Sequence, residues 1–262
     1  MQIKTRKLTI VLLDLIGSTA FVQKAGHLKA AKWLQYHDRL TRSLMFKFSG
    51  REIDRSDGFL ISFEQPINAV NFALHYQMTI PDKTRLNTRI GIHLGTVAEV
   101  RQHELNVVIG AKPIELEGIA KNVAARVMSI CGPGQVLLTA EAFLAVKNKT
   151  NYLTPKNTRF SQVGLYKFKG VKSARVVYAV GSSIQSLQPP PSSEKVKRIG
   201  GPKKIKSHAR DRKLKEWIWW ILPRWALINA IYIMYVIGPW VCRNWPPARF
   251  VSEIITRIFN AR

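Results

Sequence analysis

Two carboxylates stand at positions where acids can do chemistry. Asp14 lies inside the apolar run VLLDLIG, and Asp57 sits beside Gly58 in the turn signal Ser56-Asp57-Gly58. A carboxylate in an apolar strand is costly unless it is paired, hydrogen-bonded or metal-bound. The Gly17-Ser18-Thr19 that follows Asp14 can turn tightly and open a helix, whose first N–H groups make a seat for phosphate. Two carboxylates with open positions suit Mg2+ or Mn2+ bound together with substrate phosphates. Singly, Asp14 reads first as a helix cap and Asp57 as a turn residue; their pairing weakens those readings. Asn122 and Arg126 are four apart in KNVAARV and so share one side of a helix. On spacing alone an exposed helix face is the better reading of the two.

The elements needed to bring these residues together are legible as alternating strand and helix signals. Residues 7–15 read as a buried strand, and 20–48 as one long helix with apolar residues at helical spacing. Residues 51–53 and 59–63 form a hairpin candidate around the Asp57 turn. A helix over 66–78 follows, then strands over 88–94 and 97–100 around Gly95. After these come a helix over 117–131, a strand over 135–139, a helix over 140–146, and late strands over 160–163 and 176–180. The order β-α-β-β-α-β with a further αβ extension predicts an α+β, ferredoxin-like core. In that core the first strand neighbours the hairpin, so Asp14 and Asp57 can approach each other. Cys131 reads as a core thiol, and His93 as a strand residue rather than a ligand.

The chain has 262 residues and a net charge of +25, with 46% apolar residues, enough for a packed core. Cys131 and Cys242 are its two cysteines, which excludes a disulfide scaffold and a Cys-rich zinc site. The charge suggests nucleic acid, but the body lacks a basic-aromatic stripe and its cations are scattered, so no nucleic-acid partner is expected. Instead the charge gathers late: residues 195–262 carry 15 basic and three acidic residues. That region also holds WIWWILPRWALINAIYIMYVIGPWVC, residues 217–242, with Arg224 as its one charge and Trp at both ends. As a helix it exceeds the ~30 Å of a hydrocarbon core, and the Trp clusters match interfacial belts.

The expected organisation is a body over 1–181, a Pro/Ser/Lys-rich linker over 182–216, one transmembrane helix over 217–242 and a short amphipathic tail over 243–262. The basic flank before the span places the body on the cytoplasmic side of the cell membrane, single-pass, against anionic lipids. The start, MQIKTRKLTIVLLDLIG, does not read as a signal peptide.

The stretches VLLDLIGSTAF, GREIDRSDGFLISF, RIGIHLGTV, GIAKNVAARVMSICGPGQVLLT and GLYKFKGVKSARVVYAV, in this order, resemble class III nucleotidyl (adenylate/guanylate) cyclase catalytic domains. The resemblance implies that Asp14 and Asp57 hold two Mg2+ or Mn2+ ions, and that Ile16, Gly17, Ser18, Thr19 and Lys169 bind triphosphate. It implies catalytic roles for Asn122 and Arg126, in orienting the ribose and stabilising transition-state charge. It also implies a homodimer with shared sites, metals from one subunit and Asn/Arg from the other. The activity would be conversion of a nucleoside triphosphate, ATP first, to a 3′,5′-cyclic nucleotide and pyrophosphate for intracellular signalling. The sequence departs from the family at the base: Asp54 or Arg55, and Glu115, stand where many adenylate cyclases carry Lys and Asp. Two acceptors do not repeat that pattern. A pyrimidine (UTP/CTP) cyclase of an antiphage type and a catalytically weak regulatory domain are the alternatives.

Overall fold

The computed structural model describes residues 2–56, 58–84 and 87–201. It opens with strand β1 (Gln2–Leu15), whose residues alternate between two faces. Leu8, Ile10 and half-buried Leu12 pack with Val97, Leu116, Ala120 and Ala124 on one face. Val11 and Leu13 pack with Phe59, Ile61, Phe63 and Phe72 on the other. Each such fully buried side chain contributes roughly 1.5–3 kcal/mol relative to exposure.

The long helix expected over 20–48 is two helices, α1 (Ser18–Ala25) and α2 (His27–Lys47). Gly26 between them takes φ 78° and ψ 155°, which no helix can continue through. The chain proceeds through β2 (Arg51–Arg55), β3 (Gly58–Phe63), α3 (Pro66–Thr84) and β4 (Thr88–Arg101). The two strands expected around Gly95 are thus one. α4 (Glu104–Val108) and β5 (Ile114–Glu117), neither of them anticipated, precede α5 (Ile119–Ser129). β6 (Gln135–Thr139), α6 (Ala140–Val146), β7 (Arg159–Phe168), β8 (Arg175–Gly181) and β9 (Val196–Gly200) complete the described chain.

The described strands form one sheet in the order β2-β3-β1-β4-β6-β8-β7-β9, with β5 paired to β4. β1 lies antiparallel between β3 and β4, and β2 pairs antiparallel with β3. This is the expected ferredoxin-like arrangement, extended by a parallel β4–β6 pair and the antiparallel β8, β7 and β9.

Helices α2 and α3 join across a buried polar contact. His37, 1% exposed, places Nε2 2.7 Å from the Tyr76 hydroxyl and stacks on Trp33. On the other face α5 lies close to β4, because Gly91 has no side chain. A Cβ there would sit 2.3 Å from the Met128 nitrogen and 2.6 Å from the Ala124 carbonyl oxygen.

The linker expected over 182–216 is folded over its first part. Leu187 and Val196 are buried with Tyr166 and Phe168. Gln135 Nε2 donates to the Ser186 and Gln188 carbonyls (3.1 and 2.7 Å), and the Tyr166 hydroxyl donates to the Pro190 carbonyl (3.1 Å). Two apolar side chains within a Pro/Ser/Lys composition suffice to fasten this segment. Residues 202–216, the expected span over 217–242 and the tail over 243–262 lie outside the described residues. Among the described residues no helix is long and apolar enough to cross a membrane.

Candidate active site

Asp14 is the next even-numbered residue of β1 after Leu8, Ile10 and Leu12, so alternation puts it on the face that α5 covers. It is opposite Gly58 of β3 on one side and Arg89 of β4 on the other. Arg89 donates through Nε (3.0 Å) and Nη2 (2.5 Å), both to Asp14 Oδ2. This is a charge-assisted pair in a half-buried setting, stronger than an exposed one. It answers the question of how an acid is tolerated in VLLDLIG, and it leaves Oδ1 to other partners. Arg89 carries no signal of its own in the sequence; its strand register opposite Asp14 is what marks it.

A cleft of about 670 Å³ opens beside this pair, lined by Asp14, residues 15–19, Arg55, Ser56 and Arg89 among others. Gly17 precedes α1 with φ 79°, a left-handed turn that favours glycine. No side chain caps α1, and its first turn carries no acid, so its N–H groups and dipole are available to an anion. The Ile16 N–H is committed elsewhere, to the Asn87 carbonyl at 2.9 Å. Of residues 16–19, then, the free donors begin after Ile16.

Arg55 and Asp54 point to opposite faces by ordinary strand alternation, and the bulge between Glu52 and Asp54 of β2 shifts which face each takes, setting Asp54 opposite Leu60 and Arg55 opposite Phe59. Arg55 reaches Asp38 of α2 through Nε and Nη2 (3.0–3.1 Å), lies over the Phe59 ring, and donates through Nη1 to the Ser56 carbonyl. Burial pushes the Asp38 carboxyl up, but hydrogen bonds from His37 and Arg55 outweigh this and hold it below the usual range. Arg55 is therefore clamped at the mouth of the Asp14 cleft.

Asp54 instead forms an ion pair with Lys112, which precedes β5. Glu115 on β5 accepts from Gln102 Nε2 at 3.3 Å. Lys112 is a second residue that sequence reasoning missed; only the β2–β5 proximity reveals it.

Asn122 is exposed on α5, and Arg126, one turn on, is half-buried. Arg126 Nε is buried without a hydrogen-bond partner. Neither residue lines the Asp14 cleft. Lys169 lies after β7 in a separate lysine-lined groove. Among the described residues, Asn122 and Arg126, Lys169, and the Asp14 cleft thus lie as separate groups rather than as one assembled site.

Asp57 lies outside the described residues, and no cluster of three or more His, Cys, Asp or Glu among the described residues could hold a metal ion. The donor chemistry that is described fits a hard cation in part. Asp14 Oδ1 is a half-buried carboxylate oxygen unused by Arg89, the ligand type that Mg2+ and Mn2+ take. The core assignments agree with expectation elsewhere. Cys131 is buried and donates to the Ile90 carbonyl (3.1 Å), its thiol pushed up by burial to about 12. His93 is buried with Nδ1 2.8 Å from Thr139 Oγ1.

No family model matches the chain. The serine/threonine-protein kinase pkn2 of Myxococcus xanthus is 28% identical over 151 residues, which is 55% of this chain and 17% of the kinase. The chain therefore matches less than a fifth of that curated relative's length. Among solved structures it is similar to the adenylyl cyclase CyaB from P. aeruginosa, with TM-score 0.60 and 17% identity over 70% of this chain and 97% of that one. The guanylate cyclase domain of RhGC from Catenaria anguillulae, solved with GTP, gives TM-score 0.58 and 18% identity over 68% and 98%. Adenylate cyclases from Trypanosoma brucei give TM-score 0.54 and 22% identity over 67% and 90%. At these identities the likeness is one of fold.

Proposed function

We propose that this chain, which has the fold of class III nucleotidyl cyclase catalytic domains, is a membrane-anchored nucleotidyl cyclase. It would convert a nucleoside triphosphate to a 3′,5′-cyclic nucleotide and pyrophosphate. The observation that carries the reading is the Asp14–Arg89 pair beside the uncapped N-terminus of α1, within one cleft. An acid for metal, a guanidinium and free helix N–H groups are together what a triphosphate needs.

Asp14 and Asp57 are the residues that would hold the divalent cations, which when bound lower the pKa of an attacking ribose hydroxyl and neutralise phosphate charge. Arg89 and the first turn of α1 would bind and orient the phosphates. Arg126, with its unpartnered Nε, suits charge that grows at the α-phosphorus as pyrophosphate leaves, and Asn122 one turn away would orient the ribose. Asn122 and Arg126 are not in the Asp14 cleft of their own chain, which supports two shared sites in a homodimer. Arg89, Arg55 and the start of α1 line the Asp14 cleft and would meet the phosphates from the metal half.

ATP is the favoured substrate. Asp54 and Glu115 alone offer two acceptors, but Lys112 beside Asp54 restores a donor. A lysine with a carboxylate complements adenine, whose edge presents an amino donor next to a ring-nitrogen acceptor. The anchor over 217–242 belongs to the same proposal, with the body on the cytoplasmic side. The test is turnover of each of the four triphosphates by full-length protein with Mn2+, alongside Asp14→Ala. Cyclic product that disappears in the variant is expected; no cyclic product from any triphosphate would sink the enzyme reading.

A further inference from the structure

We propose that the lysine-lined groove between β7 and β9 is a docking surface for an anionic lipid bilayer. The groove, of about 690 Å³, is lined by Lys167, Lys169, Lys172, Lys195 and Lys197, with Glu194 as the acid among them. All five lysines are exposed. The pairing of β9 with β7 creates it. Val196 is opposite Phe168 and both are buried, so the flanking lysines are turned outward together. Lys167 is directly opposite Lys197, and the Lys169 N–H donates to the Lys195 carbonyl at 2.9 Å. Like charges opposite each other on a ladder oppose folding. Keeping five cations on one edge is therefore a cost that a polyanionic partner relieves.

The course of the chain selects the partner. After Gly201 the sequence adds Lys203, Lys204, Lys206, Arg210, Arg212, Lys213 and Lys215, and then enters the Trp-rich apolar run at Trp217. The groove is thus followed directly in sequence by a basic stretch that leads to a membrane-type segment. This continuity in sequence with a basic, membrane-type run favours a surface of anionic headgroups over a free phosphate as the partner. Each lysine close to such a surface raises partition by about fivefold. The proposal rests on the anchor reading only for the identity of the surface, and the two can fail separately.

The experiment uses the full chain and a variant carrying Lys167→Gln, Lys172→Gln and Lys197→Gln, with Lys169 retained. Flotation is measured on phosphatidylcholine vesicles with and without phosphatidylglycerol, at low salt. The wild type should gain at least tenfold in partition from the anionic lipid. The variant should lose most of that gain while keeping its binding to neutral vesicles and its thermal midpoint. A variant that keeps the full gain would overturn the proposal, leaving residues 202–216 as the contact. So would a wild type that binds inorganic tripolyphosphate through these lysines yet shows no preference for anionic vesicles. If neutral vesicles capture neither protein but the anionic gain persists, the anchor reading fails and the docking surface stands.

Discussion

Asp14 gives Oδ2 to Arg89 and keeps Oδ1, so the two residues can be separated by experiment. Arg89→Ala should raise KM for the triphosphate by about 10–100-fold, the loss of one charge-assisted contact, while the protein stays folded. Steady-state kinetics alongside circular dichroism checks this; an unchanged KM would remove Arg89 from the phosphate site. Lys112→Ala should narrow the preference for ATP over the other triphosphates, read as a ratio of kcat/KM values. Equal ratios in variant and wild type would show that the Asp54–Lys112 pair does not face the base. Asp14 was legible in the sequence because an acid inside an apolar run is physically conspicuous. Arg89 and Lys112 were not, because each owes its role to a partner 75 and 58 positions away.

At the scale of elements, the close approach of α5 to β4 carries Asn122 and Arg126 and depends on Gly91. Gly91→Ala should destabilise the fold by about 1–3 kcal/mol through overpacking against helix backbone, and should lower turnover because α5 is displaced. Urea unfolding measures the first effect and a cyclase assay the second. The β4–α6 contact gives a pH dependence. Burial pushes the His93 imidazole down to about 4; Glu141 opposes this and Arg175 adds to it. An unfolded histidine titrates near 6.5, so between these values the unfolded chain binds more protons than the folded one. This stability is complete above pH ~6.5 and is lost as pH falls towards 4, on the order of 3 kcal/mol. His93→Gln should flatten that part of the curve in urea titrations at pH 7 and pH 4.5. Element types were readable from periodicity. The break at Gly26 was hidden because helical spacing runs on through it, and β5 and β9 were hidden because four- and five-residue edge strands carry little pattern.

For the whole molecule, the separation of the Asp14 cleft from Asn122 and Arg126 predicts complementation. Asp57→Ala and Asn122→Ala chains, each inactive alone, should regain about a quarter of wild-type activity when mixed, the statistical share of intact sites if chains pair at random and each dimer keeps one good site. No recovery on mixing would argue against shared sites. Removing residues 217–262 should release the protein from the membrane fraction; a full-length protein already absent from that fraction would end the anchor proposal.

The amino-acid sequence alone determined the order of elements, the ferredoxin-like core, the two conspicuous acids and the concentration of charge towards the C-terminal end. These follow from local patterns of polarity, turn residues and composition. Only the tertiary structure decided which cations attend the acids, that Asp54 pairs with Lys112 while Arg55 pairs with Asp38, and that residues 182–201 bring lysines of two strands to one edge. Those outcomes depend on strand register and on contacts between residues far apart in the chain, which no local pattern encodes.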